Sequence, residues 1–372
     1  MKIPLAKSCL DKKELKAVEQ VLNSGWLTHG PKNHEFEEMF AKYVGTKYAV
    51  SMNSCASALF AVIKVLNITG EIILPSFTFI ASANAIVTTG AKPVFAEVDF
   101  QTGNINPTDI EKKITKNTQA IMPVHFAGQS CEMDKIMEIA KKHNLVVIED
   151  SAEAIGAEFN NKKTGSFGIG CFSFFPTKNM TTGEGGMVTT NDKNLVQKVR
   201  TLMGHGIPKM TNQRVKQSKP WFRSATMAGY NFRMSNILAA IGVEQMKKLD
   251  KMNSLRRKHA NYLNQKLKDI ENIDLPIEIP KAKHVYQMYT IKLKRGVRDD
   301  LVNKLKQKGI EASVHFDPPV HLQDYYLKNH NCNKGDFPIT EKLCKSIITL
   351  PIFPEMTKKD LDYIVSALKR LC

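Results

Sequence analysis

The chain has no CxxC pair, no HExxH or comparable histidine pattern, and no apolar run approaching the ~20 residues needed to cross a bilayer. The first two absences exclude the usual zinc sites and dithiol centres, so no metal site is expected. Seven cysteines are present, an odd number at scattered positions. They suit a reducing compartment better than a disulfide framework. Residues 1–7 lack the apolar core and cleavage site of a secretory leader. Together these absences predict a cytoplasmic protein with no membrane segment. There is no internal repeat and no low-complexity tract.

What is abundant is positive charge. The formal net charge is +17, against an ordinary 42% hydrophobic and 24% charged content. Charge of that size fits either nucleic-acid binding or the attraction of a phosphorylated small molecule. The lysines are scattered, however, and Lys247, Lys248, Lys304, Lys306 and Lys308 alternate with apolar residues as on solvated helix faces. No RNP, KH or zinc-finger pattern accompanies them, which argues against nucleic acid.

With 372 residues the chain can form two domains. β-Rich runs at 47–52, 71–74, 93–98, 120–124, 145–149, 170–175 and 186–190 alternate with helical patterns. Ala58, Leu59, Val62, Ile63 and Leu66 recur at helix period, as do Ile136, Ile139 and Ala140. This alternation predicts an α/β domain on a mainly parallel sheet flanked by helices. From 237 to 249 a long helix is expected, continuing past Asn253. A smaller α+β unit follows, with a strand at 289–293 and helices at 298–308 and 361–371. The expected domains are 1–245 and 246–372. The polar stretch 208–220 reads as an exposed loop.

One segment stands out: SFFPTKNMTTGEGG at 173–186. Its lysine, Lys178, lies between an apolar run and a glycine-rich turn. Partial desolvation there favours the free amine, which can form a Schiff base with a carbonyl. Taken alone, a strand, a turn and a solvated lysine explain it better, since lysines are abundant in this chain. Three other features bear on the choice. SMNSCAS at 51–57 follows a strand and opens a helix, so Ser54, Cys55 and Ala56 sit where free N–H groups bind anions. Asp150 ends an apolar strand, where ligands of open α/β sheets bind and where a carboxylate can keep a pyridine nitrogen protonated. Phe79, just past the 71–74 strand, can stack on a flat ring. Each has a plain alternative: a capping turn, a capping aspartate, a core phenylalanine. Jointly they are the parts that hold pyridoxal 5'-phosphate.

With these features in place, the chain resembles the DegT/DnrJ/EryC1/StrS family of sugar aminotransferases, of the aspartate aminotransferase fold type. The likeness runs nearly end to end, through SGWLT (24–28), PSFTFIAS (75–82), GAKP (90–93), EDSAE (149–153), GSFG (165–168), FSFFPTKNMTTGEGG (172–186), YNFRM (230–234) and VHFDPPVHLQ (314–323). The resemblance implies that Lys178 is the Schiff-base lysine and moves the proton in catalysis. It implies that Asp150 pairs with the pyridine nitrogen, Glu153 lies near the ring hydroxyl, Phe79 stacks on the ring and Ser173 contacts the phosphate. Asn231 would reach the phosphate of a neighbouring subunit's cofactor, making the active unit a homodimer with shared sites. Where the family often has Gly-Thr in its phosphate loop, this chain has Cys55 and Ala56, so backbone N–H groups with Ser54 or Ser57 must serve. His315 and His321 are possible sugar contacts, with structural roles as the alternative.

The implied reaction takes an amino group from an amino acid, usually glutamate in this family, to a ketone on a nucleotide-linked sugar. Residues 149–159 and 181–187 look most like enzymes of the perosamine and viosamine type, which implies a 4-keto-6-deoxyhexose. A 3-keto sugar or a cyclitol ketone is the alternative substrate. In the related sugar dehydratases histidine replaces the lysine, and Lys178 argues against that chemistry.

Overall fold

A computed structural model describes residues 2–208 and 221–372. Residues 209–220 of the expected polar loop lie outside the described residues. The architecture rests on a seven-stranded sheet made of β1 (Tyr48–Met52), β2 (Glu71–Pro75), β3 (Lys92–Ala96), β4 (Thr118–Ile121), β5 (Val146–Asp150), β6 (Ile169–Ser173) and β7 (Gly186–Thr190). Each corresponds to an expected β-rich run, with ends displaced by up to three residues. β2 is buried along its whole length, which is why Ile72, Ile73 and Leu74 form an unbroken apolar run rather than an alternating one: helices cover both faces of a parallel sheet. The helix-period residues behave as expected. Ala58, Leu59, Val62 and Ile63 are buried on the helix Cys55–Val65, and Ile136, Ile139 and Ala140 on the helix Met133–Lys142.

The strand order is β1–β7–β6–β5–β4–β2–β3. β2 to β6 run parallel to one another, whereas β7 is antiparallel to both of its neighbours. Two reversals bring β1 back to the direction of the main set. The carboxyl ends of all strands except β7 therefore meet at one edge of the sheet, together with the start of β7. Ligands of open α/β sheets bind at this edge.

Beyond residue 246 a second, three-stranded sheet joins Ile273–Asp274, Tyr289–Leu293 and Ile347–Leu350. The single helix expected from 237 past 253 is instead two, Asn236–Met246 and Leu249–Leu267. The chain turns at Lys247 and Lys248, and Lys248 Nζ reaches back to Glu14 at 2.5 Å and to the Cys9 carbonyl at 3.2 Å. These partners lie far away in sequence, so periodicity could not reveal the break. We propose 1–245 and 246–372 as a working division into a larger and a smaller unit, crossed at three places. Ile3 packs in the C-terminal core with Leu263 and Ile364. Val320, Tyr326 and Phe337 pack into the core beside the main sheet. Leu249 and Met252, on the second helix, pack with Phe36 and Phe174.

Candidate active site

A cleft of about 630 Å³ opens at the carboxyl edge of the sheet. Ser54, Cys55, Ala56, Phe79, Asp150, Glu153, Ser173, Lys178 and His315 all line it. They come from β1, β2, β5, β6, the loops that follow them and the C-terminal unit, so no short stretch of sequence contains the site.

Lys178 follows β6 in a turn closed by its own N–H donating to the Phe175 carbonyl at 2.9 Å. The side chain is 15% exposed, and Nζ faces Glu153 Oε1 at 3.3 Å. The other oxygen of Glu153 accepts the Ala127 N–H at 2.9 Å. The glycine-rich turn is fastened by Thr181, whose Oγ1 donates to the Phe174 carbonyl at 2.8 Å and accepts the Gly183 N–H at 2.9 Å.

Asp150 closes β5 with its carboxyl group in the cleft wall, only 5% exposed. Oδ2 accepts from Ser82 Oγ at 2.7 Å and Oδ1 from the Ala152 N–H at 3.1 Å. Burial raises its pKa above the ordinary 3.8, and those two hydrogen bonds only partly counter that rise. A carboxylate so placed gains from a cationic partner. Phe79, at the start of the helix Ile80–Thr89, leaves its ring 61% exposed, which is unusual for phenylalanine.

Ser54 caps the helix Cys55–Val65: its Oγ accepts the Ser57 N–H at 3.0 Å and donates to Ser57 Oγ at 2.9 Å. The N–H groups of Cys55 and Ala56 open the helix and have no carbonyl one turn earlier within it. Gly186 backs directly onto this corner. A Cβ there would lie 2.3 Å from the Ser54 carbonyl carbon, so β7 can approach the helix start only with glycine. Burial pushes the Cys55 thiol well above its ordinary range, keeping it neutral. Ser173, at the end of β6, accepts the Phe175 N–H at 3.3 Å.

The donor set tests whether pyridoxal phosphate fits. An amine, a buried carboxylate with no cationic partner within 4 Å among the described residues, an exposed aromatic face and helix-start N–H groups with serine hydroxyls share one cleft. These are complementary to a carbonyl, a pyridine nitrogen, a flat ring and a phosphate, so the residues fit the group.

Two expected residues lie elsewhere. Asn231 is exposed and outside the lining of its own chain's cleft. His321 is not among the residues that line the cleft, which favours the structural alternative over a sugar contact. It is fully buried between Ser76 Oγ, 2.5 Å from Nδ1, and Glu341 Oε1, 3.3 Å from Nε2. Burial lowers its pKa, so the neutral ring accepts from Ser76 and donates to Glu341. His321→Ala is expected to cost about 2–3 kcal/mol of stability through these bonds while leaving the substrate KM within about twofold, as checked by urea unfolding and steady-state kinetics. His315 does line the cleft, with Nδ1 2.8 Å from Thr349 Oγ1.

Several supporting residues were not foreseen. Ser82 stands one helical turn after Phe79 and orients Asp150. Glu149, directly before Asp150, is wholly buried. Its carboxylate accepts the N–H groups of Gly165, Phe167 and Gly168 at 2.7–2.8 Å and faces His125 Nε2 at 3.0 Å. It thereby ties the 165–168 turn under the end of β5. A glutamate inside an apolar strand was the available signal, but its partners come from two distant segments. Glu149→Gln removes the charge behind these bonds and is expected to cost about 2 kcal/mol, read as a lower urea midpoint at unchanged m-value.

Comparison with known proteins agrees with this geometry. The chain is 38% identical to the GDP-perosamine synthase of Caulobacter vibrioides, over all of this chain and 98% of that protein. It is also 38% identical to the spore coat polysaccharide biosynthesis protein SpsC of Bacillus subtilis, over 99% of this chain and 96% of that one. Among solved structures it superposes on PseC of Helicobacter pylori, an aminotransferase involved in pseudoaminic acid biosynthesis, with a TM-score of 0.94 and 31% identity, covering 100% of this chain and 99% of that one. Residues 8–369 match the DegT/DnrJ/EryC1/StrS aminotransferase family, and the chain belongs to that family.

Proposed function

We propose that this sugar aminotransferase moves an amino group from glutamate to the keto carbon of a nucleotide-linked 4-keto-6-deoxyhexose, with pyridoxal phosphate as cofactor. The observation that carries the reading is the Lys178 amine, held beside Glu153 in the same cleft as the buried Asp150 carboxylate. When bound, the cofactor supplies a carbonyl that condenses with amines and a ring that accepts electron density. Lys178 would hold the cofactor at its amine and then, released, take the proton from the donor's α-carbon; among the described residues no other amine lines the cleft. Glu153 orients that amine. Asp150 would face the pyridine nitrogen and keep it protonated, Phe79 would cover the ring, and the N–H groups of Cys55 and Ala56 with Ser54 and Ser173 would bind the phosphate. His315, neutral because burial lowers its pKa, would offer Nε2 to a sugar hydroxyl.

The likeness to a GDP-perosamine synthase supports amination at carbon 4. Asn231, exposed outside its own cleft, would complete the phosphate site of a second copy, so the working unit would be a homodimer. No helix among the described residues is long and apolar enough to cross a membrane, and all seven cysteines are free, which supports a place in the cytoplasm. The test is to incubate the cofactor-loaded protein with glutamate and a panel of 4-keto and 3-keto nucleotide sugars and identify products by mass and NMR. Amination of only a 3-keto sugar would overturn the assignment of carbon 4.

A further inference from the structure

The three-residue turn Phe126–Gly128 lies behind the cleft, after β4, and touches Glu153 directly. Ala127 there has φ +56°. A residue with a Cβ keeps that left-handed conformation only when its surroundings hold it. Gly128 follows at φ +98°, and a Cβ on it would lie 2.9 Å from the Gln287 nitrogen. The turn is gripped from two sides. From the C-terminal unit, Met288 N–H donates to the Ala127 carbonyl at 3.2 Å and Val285 N–H to the Gly128 carbonyl at 2.9 Å. From the loop after β3, Asn104 supplies the other grip.

Asn104 is 4% exposed. Its Oδ1 accepts the Phe126 N–H at 2.9 Å, which also leans on the Val124 carbonyl at 3.0 Å. Its Nδ2 donates to the carbonyls of Gln129 and Ser130 at 3.2 and 3.1 Å. One side chain thus holds both ends of the turn. The held Ala127 N–H meets Glu153 Oε2 at 2.9 Å, and Glu153 Oε1 meets Lys178 Nζ at 3.3 Å.

We propose that Asn104 is a positioning residue for the reaction: by fixing the 126–128 turn it holds Glu153, and through Glu153 it holds the amine of Lys178. Asn104 does not line the cleft, so its influence must pass through the turn. The proposal rests on the reading of Lys178 as the reacting amine, but not on the identity of the sugar. A neutral amide is the group that suits this place, since it accepts from one N–H and donates to two carbonyls at once.

The test compares Asn104→Asp, Asn104→Ala, Glu153→Gln and the double variant Asn104→Ala/Glu153→Gln. Two quantities are followed. One is kcat and KM for the amino donor in the cofactor-loaded enzyme. The other is the rate at which Lys178 is acylated at fixed pH in the cofactor-free protein, read from its peptide by mass spectrometry. The contact with Glu153 Oε1 holds Nζ at the cleft wall and restricts its approach to the reagent, so loosening it speeds the reaction, by about tenfold in Glu153→Gln. Asn104→Ala is expected to move the rate the same way by about threefold and to lower kcat about tenfold, with donor KM within about twofold. Asn104→Asp keeps the acceptor for Phe126 N–H but sets a carboxylate against two carbonyls, and should fall between. The double variant should add little to Glu153→Gln, because both changes act through one contact.

Additive effects in the double variant would overturn the proposal, as would folded Asn104 variants with wild-type kcat and wild-type acylation. If Asn104→Ala does not fold, Asn104→Asp carries the comparison. Acylation involves no sugar, so a failed sugar assignment leaves this result intact, while a Lys178 that proves dispensable for turnover would undo the reading beneath it.

Discussion

Lys178→Ala is expected to lower turnover by at least about 10³-fold, since on the proposed reading it would remove both the covalent anchor and the general acid–base. The fold should survive. The side chain lies at a cleft wall, and the turn that carries it is closed by backbone and threonine bonds that the substitution leaves in place. The check is spectroscopic as well as kinetic: the wild-type protein with pyridoxal phosphate should show a visible absorbance band that borohydride traps, and the variant should show neither. Lys178→Arg should not rescue the activity, because guanidinium stays protonated and is no nucleophile. A variant that kept both the band and turnover would show that another amine does the chemistry.

The second large effect concerns Asp150, where stability and activity should move in opposite directions. Asp150→Asn is expected to lower kcat/KM by about 10²–10³-fold, as removal of one preorganised electrostatic partner does. In the cofactor-free protein the same change should raise stability at neutral pH. The folded-state pKa of Asp150 is raised, chiefly by burial. The penalty is therefore absent below the unfolded value of 3.8 and develops as pH rises through the folded value. Thermal unfolding of cofactor-free wild type and variant should coincide near pH 3.5 and diverge toward pH 8, with the variant higher. Loss of activity without that divergence would mean that the carboxylate is solvated or already paired. On the proposed reading, the cost of burying this carboxylate would be offset by the cation of the bound cofactor.

The phosphate corner is a case in which local sequence and tertiary structure divide the explanation. SMNSCAS signals a helix start, and Ser54 caps it. The close approach of Gly186 to the backbone of Ser54 and Cys55 could not be judged in sequence, because β7 reaches the helix start only in the folded sheet. His321 is a case in which sequence left a sugar contact and a structural role open. It lies six residues after His315 in one motif, yet the chain carries it under the main sheet, against Ser76 and Glu341. Glu149 and Asp150 are neighbours with opposite fates, one tied to four partners inside the protein and the other facing the cleft. Strand alternation separates them, but which face was the cleft depended on the strand order.

What the sequence determined by itself was local. Apolar runs and helix periods specified seven strands and the helices between them, because burial on both faces of a parallel sheet leaves a direct imprint on composition. The motifs around Lys178 and Asp150 pointed to the proposed chemistry, because few residue types can hold a pyridine ring and offer an amine. The tertiary structure alone decided which ends of the strands meet, since the reversed strand β7 is what brings β1 and the helix start after it to the same edge as Asp150. It also decided what surrounds the Lys178 amine. Asn104, Ala127 and Glu153 come from three separate segments and carry no pattern of their own, because hydrogen bonds between distant parts of a chain depend on where the folded backbone brings them.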